Sequence, residues 1–268
     1  MKYKMLVTDM DDTLLDSEHQ VSKANSDAII GAQARGLQFV LASGRPTYAM
    51  RDYAKNLALD TNASYYLSYN GAIIINAKDD TVWYEEMLSM EDAHLLYDIS
   101  QEHDMEILSY IGDEIICETR STYVQKEIDL TGMPFRQVSS FKDAVKDKVV
   151  KCILLKKPKH LNLAVPIIQE KYSDRFSMSI SKPFFFEVMK KGVDKGKSLT
   201  RLAAHLGIGL EEIVAVGDSY NDASMLEVAG YPVAVANAKP PLKEMASHIA
   251  PSHKEDALKY VIEQLIEL

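Results

Sequence analysis

The sequence predicts an α/β fold, a doubly wound core assembled from both ends of the chain and interrupted by an α+β domain. Three observations lead there. Short apolar runs near 4–9, 38–42 and 212–217 alternate with helix-patterned segments, which is the rhythm of βα units. Each run breaks abruptly into polar groups: Asp9, Asp11 and Asp12 after the first, Ser43 and Gly44 after the second, Gly217 and Asp218 after the third. From about 84 to 188 the rhythm gives way to strand pairs mixed with helices, a pattern unlike the continuation of a parallel sheet.

In chain order, the pattern predicts a strand at 4–9, a helix at 22–35 and a strand at 38–42. A helix at 46–57 follows, with Pro46 suited to its first turn, and then a strand at 65–69. Tyr69-Asn70-Gly71 turns into two short strands at 72–76 and 81–85. The insertion reads as a helix at 89–101, strands within 105–117, a helix at 119–131, a strand at 149–156, a helix at 159–171 and strands within 176–188. After Gly192 the alternation returns: helix 194–206, strand 212–217, helix 220–228, strand 231–235, helix 239–246 and a last helix at 254–266. The expected division is a Rossmann-like core at 1–83 and 189–268, with an inserted α+β cap at 84–188. A chain of 268 residues that is 47% hydrophobic can bury the core such a division needs.

Ligands of open α/β sheets bind beyond the carboxyl ends of the strands, so the polar strand ends form the candidate site. Asp9 and Asp11 are one residue apart, and the strand period of two can point both to the same side. Carboxylates gathered this closely repel one another. Mg²⁺ suits such a cluster, because it binds through few carboxylates while keeping waters and contacting substrate phosphate.

Four segments in order resemble the four motifs of the haloacid dehalogenase superfamily of phosphatases. They are Asp9-Met10-Asp11-Asp12-Thr13, Ser43-Gly44-Arg45, Lys195-Gly196 and Gly217-Asp218-Ser219-Tyr220-Asn221-Asp222. The spacing, with its long insertion between the second and third, resembles the Cof-type branch of small-molecule phosphatases, and the resemblance spans the full length. It implies a Mg²⁺-dependent hydrolase of small phosphomonoesters, such as sugar phosphates or phosphorylated cofactors, working through an aspartyl-phosphate.

The resemblance also implies roles for individual residues. Asp9 is the nucleophile, Asp11 the general acid and base, and Lys195 the cation that pairs with nucleophile and phosphate. Phosphate contacts come from the Met10 backbone N–H, Ser43, Gly44, Lys195 and Asn221. The metal is held by Asp9, the backbone carbonyl of Asp11, and Asp218, with Thr13 and Asp222 in supporting places. One departure stands out: the family commonly has Gly where this chain has Asp12. Asp tolerates left-handed backbone better than most residues, so the turn can form, with added negative charge beside the metal.

Composition excludes other classes. A net charge of −9 without a basic stripe argues against a nucleic-acid partner, and no apolar run approaches membrane-spanning length. Met1-Lys2-Tyr3-Lys4 leads into a short apolar run stopped by Asp9, unlike a secretory signal. Cys117 and Cys152 lie far apart in strand-like contexts and are expected to be buried packing residues rather than a disulfide. The expected setting is the cytoplasm and the expected partner a small phosphorylated metabolite; the sequence is silent on oligomeric state.

Three rival readings compete. Gly192 to Ser198 nearly spells a nucleotide-binding P-loop, but three residues rather than four separate its glycines, and the Asp9 cluster would be idle. A phospho-accepting signalling domain also gathers acids, yet has no use for the insertion. A phosphomutase of the same superfamily is the nearest enzymatic alternative.

Overall fold

The computed structural model describes residues 2–62 and 64–266. It divides into two compact units, one of Met1–Glu85 with Asp194–Leu268 and one of Glu86–Val193. The first unit begins β1 (Met5–Thr8), α1 (Lys23–Ala34), β2 (Gln38–Ala42), α2 (Thr47–Asn56), β3 (Tyr65–Ser68), β4 (Ile73–Asn76) and β5 (Thr81–Glu85). The second unit contributes α3 (Met90–Glu102), β6 (Glu106–Ile111), β7 (Glu114–Cys117), α4 (Thr122–Thr131), β8 (Phe135–Gln137), α5 (Phe141–Ala144), β9 (Lys151–Leu155), α6 (Pro158–Tyr172), β10 (Phe176–Lys182) and β11 (Phe185–Lys190). The chain then returns to the first unit with α7 (Lys195–Leu206), β12 (Ile213–Gly217), α8 (Ala223–Val228), β13 (Tyr231–Val235), α9 (Pro240–Met245), β14 (His248–Ala250) and α10 (Ala257–Leu265).

The first unit is built on an eight-stranded sheet in the order β14-β13-β12-β1-β2-β3-β4-β5. Strands β14 to β3 are parallel, and β4 and β5 close one edge as an antiparallel pair. Central strands buried on both faces must be apolar throughout, and Met5, Leu6, Val7, Val214, Ala215 and Val216 are all fully buried. The chain winds one way from β1 through β2 and β3, and the other way from β12 through β13 and β14. The seam between β1 and β12 is therefore the topological switch point, where the crevice of a doubly wound sheet opens. In that pairing Thr8 lies opposite Val216, so the next residues of both strands emerge side by side.

The inserted unit has a six-stranded sheet, β10-β11-β9-β6-β7-β8, antiparallel except where β7 meets β8. Alternation along β11 explains its two faces. Phe186 and Val188 enter the hydrophobic cluster with Leu96 and Ile99 of α3 and Leu161 and Ile168 of α6. Between them Glu187 points the other way and accepts a hydrogen bond from the buried Lys151 ammonium at 3.0 Å.

The expected α/β architecture is the one observed, with three short elements added: β8, α5 and β14. The last helix begins at Ala257 rather than 254, because Asp256 stands at φ 54 in the left-handed region and cannot extend it. Cys117 and Cys152 are free and buried. Among the described residues, no helix is long and apolar enough to cross a membrane.

Candidate active site

The parallel pairing of β1 and β12 continues one residue past the strand, with the Asp9 N–H donating to the Val216 carbonyl at 2.9 Å. This fixes Asp9 beside the end of β12, where Asp218 follows Gly217. After Asp9 the chain coils so that the Met10 carbonyl accepts from the N–H groups of Thr13, Leu14 and Leu15. That coil requires a left-handed residue, and Asp12 supplies it at φ 59. The Met10 side chain is fully buried beneath. Thr13 then donates its hydroxyl across to Asp218 Oδ1 at 3.1 Å.

Lys195 opens α7 and is completely buried. Its ammonium donates to Asp9 Oδ1 at 2.5 Å and to Asp222 Oδ1 at 2.6 Å. Gly196 makes this approach possible: a Cβ there would sit 2.2 Å from the Ser224 carbonyl oxygen, so any larger residue would push α7 off α8. The other oxygen of Asp222 accepts from the N–H groups of Asp218 and Ser219 at 2.9 and 3.0 Å. Asp222 is thus a fully engaged anchor. The hydroxyl a P-loop would need, Ser198, is buried and donates to the Gly71 carbonyl at 2.7 Å, which argues against the P-loop reading.

Oxygens of Asp9, Asp218 and Asp222 all lie within 4.8 Å of one another, and the three residues are buried. Three carboxylates around one ammonium leave an excess of negative charge. Burial, followed by the charge of Asp222, pushes the Asp9 carboxyl well above its ordinary range, against the pull of Lys195. Burial and Asp222 likewise raise Asp218 to about 6. Lys195 shifts up in turn, since the attraction of Asp222 and Asp9 outweighs its desolvation.

The donor set fits a hard divalent cation. With Asp222 occupied at both oxygens, Oδ2 of Asp9 and Oδ2 of Asp218 accept no hydrogen bond among the described residues, nor does the Asp11 carbonyl.

Asp11 is placed differently. Its side chain is 42% exposed and turned to Arg45, whose guanidinium grips it in a fork, Nε to Oδ2 at 2.9 Å and Nη2 to Oδ1 at 2.6 Å. His19 Nδ1 lies 3.4 Å from the same carboxylate, and the Tyr53 hydroxyl is 3.5 Å from Arg45 Nη1. Burial works to raise this carboxyl, but the Arg45 hydrogen bonds and charge outweigh it and hold Asp11 below its ordinary value. Asp11 is therefore not in the buried carboxylate trio, where Asp222 stands instead.

Ser43 follows β2 and is buried; its hydroxyl accepts from the Arg45 N–H at 3.1 Å. It does not cap α2, which starts after Pro46 without a side-chain cap. Asn221 sits on the exposed turn after Asp218 and donates to Asn70 Oδ1 at 3.0 Å. Asn70 belongs to Tyr69-Asn70-Gly71, whose φ angles of 50, 56 and 90 are all left-handed. For a buried tyrosine that is a genuine outlier, of a kind that costs about 1–3 kcal/mol per residue and clusters at functional sites.

Sequence reasoning named the Asn70-Gly71 turn but gave Arg45 no role. The nearest signal was its place beside Ser43 and Gly44. His205 of α7 lies against the Trp83 ring at 4.2 Å and the Tyr65 ring at 6.1 Å, a packing position.

Comparison with known proteins matches this arrangement to one family, described as haloacid dehalogenase-like hydrolase, over residues 6–262. The Bacillus subtilis protein named "Putative phosphatase YxeH" is 32% identical, with 98% of each chain covered. A second B. subtilis relative, 5-amino-6-(5-phospho-D-ribitylamino)uracil phosphatase YcsE, is 26% identical over 97% of this chain and 94% of its own. A solved haloacid dehalogenase-like hydrolase from Bacteroides thetaiotaomicron superposes with a TM-score of 0.93 at 35% identity, covering 98% of this chain and all of that one. The chain belongs to the haloacid dehalogenase-like hydrolases and is an enzyme of that family.

Proposed function

We propose that the protein is a Mg²⁺-dependent phosphatase that hydrolyses phosphomonoesters of small metabolites through an aspartyl-phosphate. The observation that carries this is the buried cluster in which one ammonium, Lys195, holds Asp9 and Asp222 while Asp218 stands alongside. The relatives' names support the substrate class, YcsE being named for a phosphorylated ribitylamino compound.

In the first half-reaction an Asp9 oxygen attacks phosphorus as the bond from phosphorus to the leaving oxygen breaks, and Asp11 gives that oxygen a proton. In the second, water attacks phosphorus, Asp11 takes its proton, and the bond from Asp9 to phosphorus breaks to release inorganic phosphate. Asp9, the Asp11 carbonyl and Asp218 would hold Mg²⁺, which when bound would supply the positive charge that lets the anionic nucleophile approach an anionic phosphate. Lys195 fixes the orientation of Asp9 and offsets phosphate charge. Met10 and Gly44 offer backbone N–H groups, and Ser43 and Asn221 offer side-chain donors. Donation by Asp11 requires its fork with Arg45 to open, since a carboxylate bound at both oxygens cannot carry the proton. Thr13 and Asp222 hold Asp218 in register.

In this reading the inserted unit acts as the cap that selects the leaving group. The setting is the cytoplasm, where phosphorylated metabolites are made and consumed. The test is a phosphate-release screen over phosphorylated metabolites, with and without Mg²⁺. Activity that requires Mg²⁺ and disappears in Asp9→Asn supports the reading; turnover retained by Asp9→Asn contradicts it. Isomerisation of a sugar phosphate without phosphate release would make the enzyme a mutase.

A further inference from the structure

We propose that Asn70 is a further substrate-contacting residue of this site, donating its side-chain N–H to a phosphoryl oxygen; this rests on the phosphatase reading above. Tyr69, Asn70 and Gly71 run left-handed in succession, and such backbone persists only where its surroundings over-determine it. Here they do. The Tyr69 N–H donates to the Arg45 carbonyl at 2.9 Å and the Asn70 N–H to the Ser43 carbonyl at 2.8 Å. On the other side the Ser198 hydroxyl donates to the Gly71 carbonyl at 2.7 Å. The turn is thereby fastened both to the Ser43–Arg45 segment and to α7, the helix that carries Lys195.

The consequence is a placed carboxamide. A Cβ added to Gly44 would lie 3.2 Å from Asn70 Oδ1 and 3.5 Å from its Nδ2, close enough to press on the amide, so the two residues are in contact range. Asn70 Oδ1 accepts from Asn221 at 3.0 Å. Asn70 therefore bridges Gly44 and Asn221, the two groups proposed to hold the phosphate on either side of it. With Oδ1 occupied, the half-buried Asn70 NH₂ has no partner among the described residues. A pre-placed amide donor beside an anion site strengthens its hydrogen bond as charge develops on the phosphoryl oxygens. The strained turn thus has a return: it aims a donor that an ordinary loop would leave mobile.

Asparagine also tolerates left-handed backbone, so a merely conformational role must be separated from a donor role. Asn70→Gly does this, since glycine accepts the same φ without strain. As it also removes the oxygen that Asn221 donates to, the loss is expected to persist in an Asn221→Ala background, and a loss that vanishes there overturns the donor role. The proposal expects Asn70→Gly to keep its Tm, to lose about tenfold or more in kcat/KM, and to raise the inhibition constant of inorganic phosphate about as much. Asn70→Asp keeps the left-handed tolerance and the acceptor, and is expected to lose more, because its carboxylate repels the phosphate dianion. Should Asn70→Gly lower the Tm, Asn70→Asp decides by the same criteria. A kcat/KM and phosphate inhibition constant within about threefold of wild type overturn the assignment, and a larger loss supports it. Wild-type enzyme that releases phosphate while Asn70→Gly is unaffected overturns this inference alone. Wild-type enzyme that releases none from any phosphomonoester, or an Asp9→Asn variant that still turns over, overturns the phosphatase reading itself.

Discussion

Two carboxylates one residue apart, Asp9 and Asp11, live in opposite surroundings. Asp9 is 5% exposed and locked by a buried lysine that is itself locked by Asp222. Asp11 has a side chain 42% exposed, gripped by Arg45 and near His19. Burial fixes the geometry of the first and raises its proton affinity; an ion pair at the surface holds the second in a charged form that can be released. The difference in rigidity suits the roles proposed for them, since a nucleophile must not move and an acid–base group must exchange its proton with each half-reaction. The proton affinities suit them only once a cation favours the Asp9 anion and Arg45 releases Asp11.

The contrast can be broken at its rigid end first. Asp9→Asn is expected to reduce phosphate release by about 10⁴-fold or more while the fold persists, measured by turnover and circular dichroism. Lys195→Met removes the shared cation and leaves buried carboxylates uncompensated. It is expected to cost about 3 kcal/mol or more in urea denaturation of the metal-free protein.

At the mobile end, Asp11→Asn is expected to lower kcat about 10²- to 10⁴-fold. Because its pair is partly exposed, its stability is expected to change by less than about 1 kcal/mol. Equal destabilisation by Asp11→Asn and Lys195→Met would erase the distinction between the two sites.

Metal removal probes the same cluster by pH. Asp218 is raised to about 6 in the folded protein, so its protonated form is the one folding favours. That contribution is fully present below its unfolded value of about 3.9 and is lost as pH rises through about 6. The metal-free protein is therefore expected to lose Tm across this window. Mg²⁺ is expected to raise Tm more at pH 7.5 than at pH 5, where protons compete for the same oxygens. The smallest effect is expected from Arg45→Lys, which keeps the charge near Asp11 but not the fork. A several-fold change in kcat, with Tm unchanged, sets Arg45 apart as a positioning residue.

Much of the site was legible because strand ends are legible. The apolar runs before Asp9, Ser43 and Asp218 announce buried parallel strands, and the sheet order brings the ends of β1 and β12 together. Lys195 could be chosen because Gly196 follows it, as in the motif of the family the chain resembles, and the structure gives the physical reason in the close approach of α7 to the Ser224 carbonyl. Asp12 could be expected to turn left-handed because it stands where the resembled family commonly has Gly and because Asp tolerates that backbone. The Arg45 fork was not legible, since pairing between side chains 34 residues apart leaves no periodic trace. Strand β14 escaped as well: three residues at a sheet edge, with one neighbour and His248 and Ile249 not buried, carry too little pattern to read. The short β8 and α5 escaped for the same reason of length. Tyr69 is the deepest miss, because nothing in a tyrosine's chemistry favours the left-handed region that its surroundings impose.

The most direct measurement traps the covalent intermediate. Enzyme quenched during turnover and reduced with borohydride, which converts an aspartyl-phosphate to homoserine, can be mapped by peptide mass spectrometry. Homoserine at position 9, formed only with substrate present and absent from Asp9→Asn, is the predicted result. A modification at any other carboxylate, or none while phosphate is released in a burst, would contradict it.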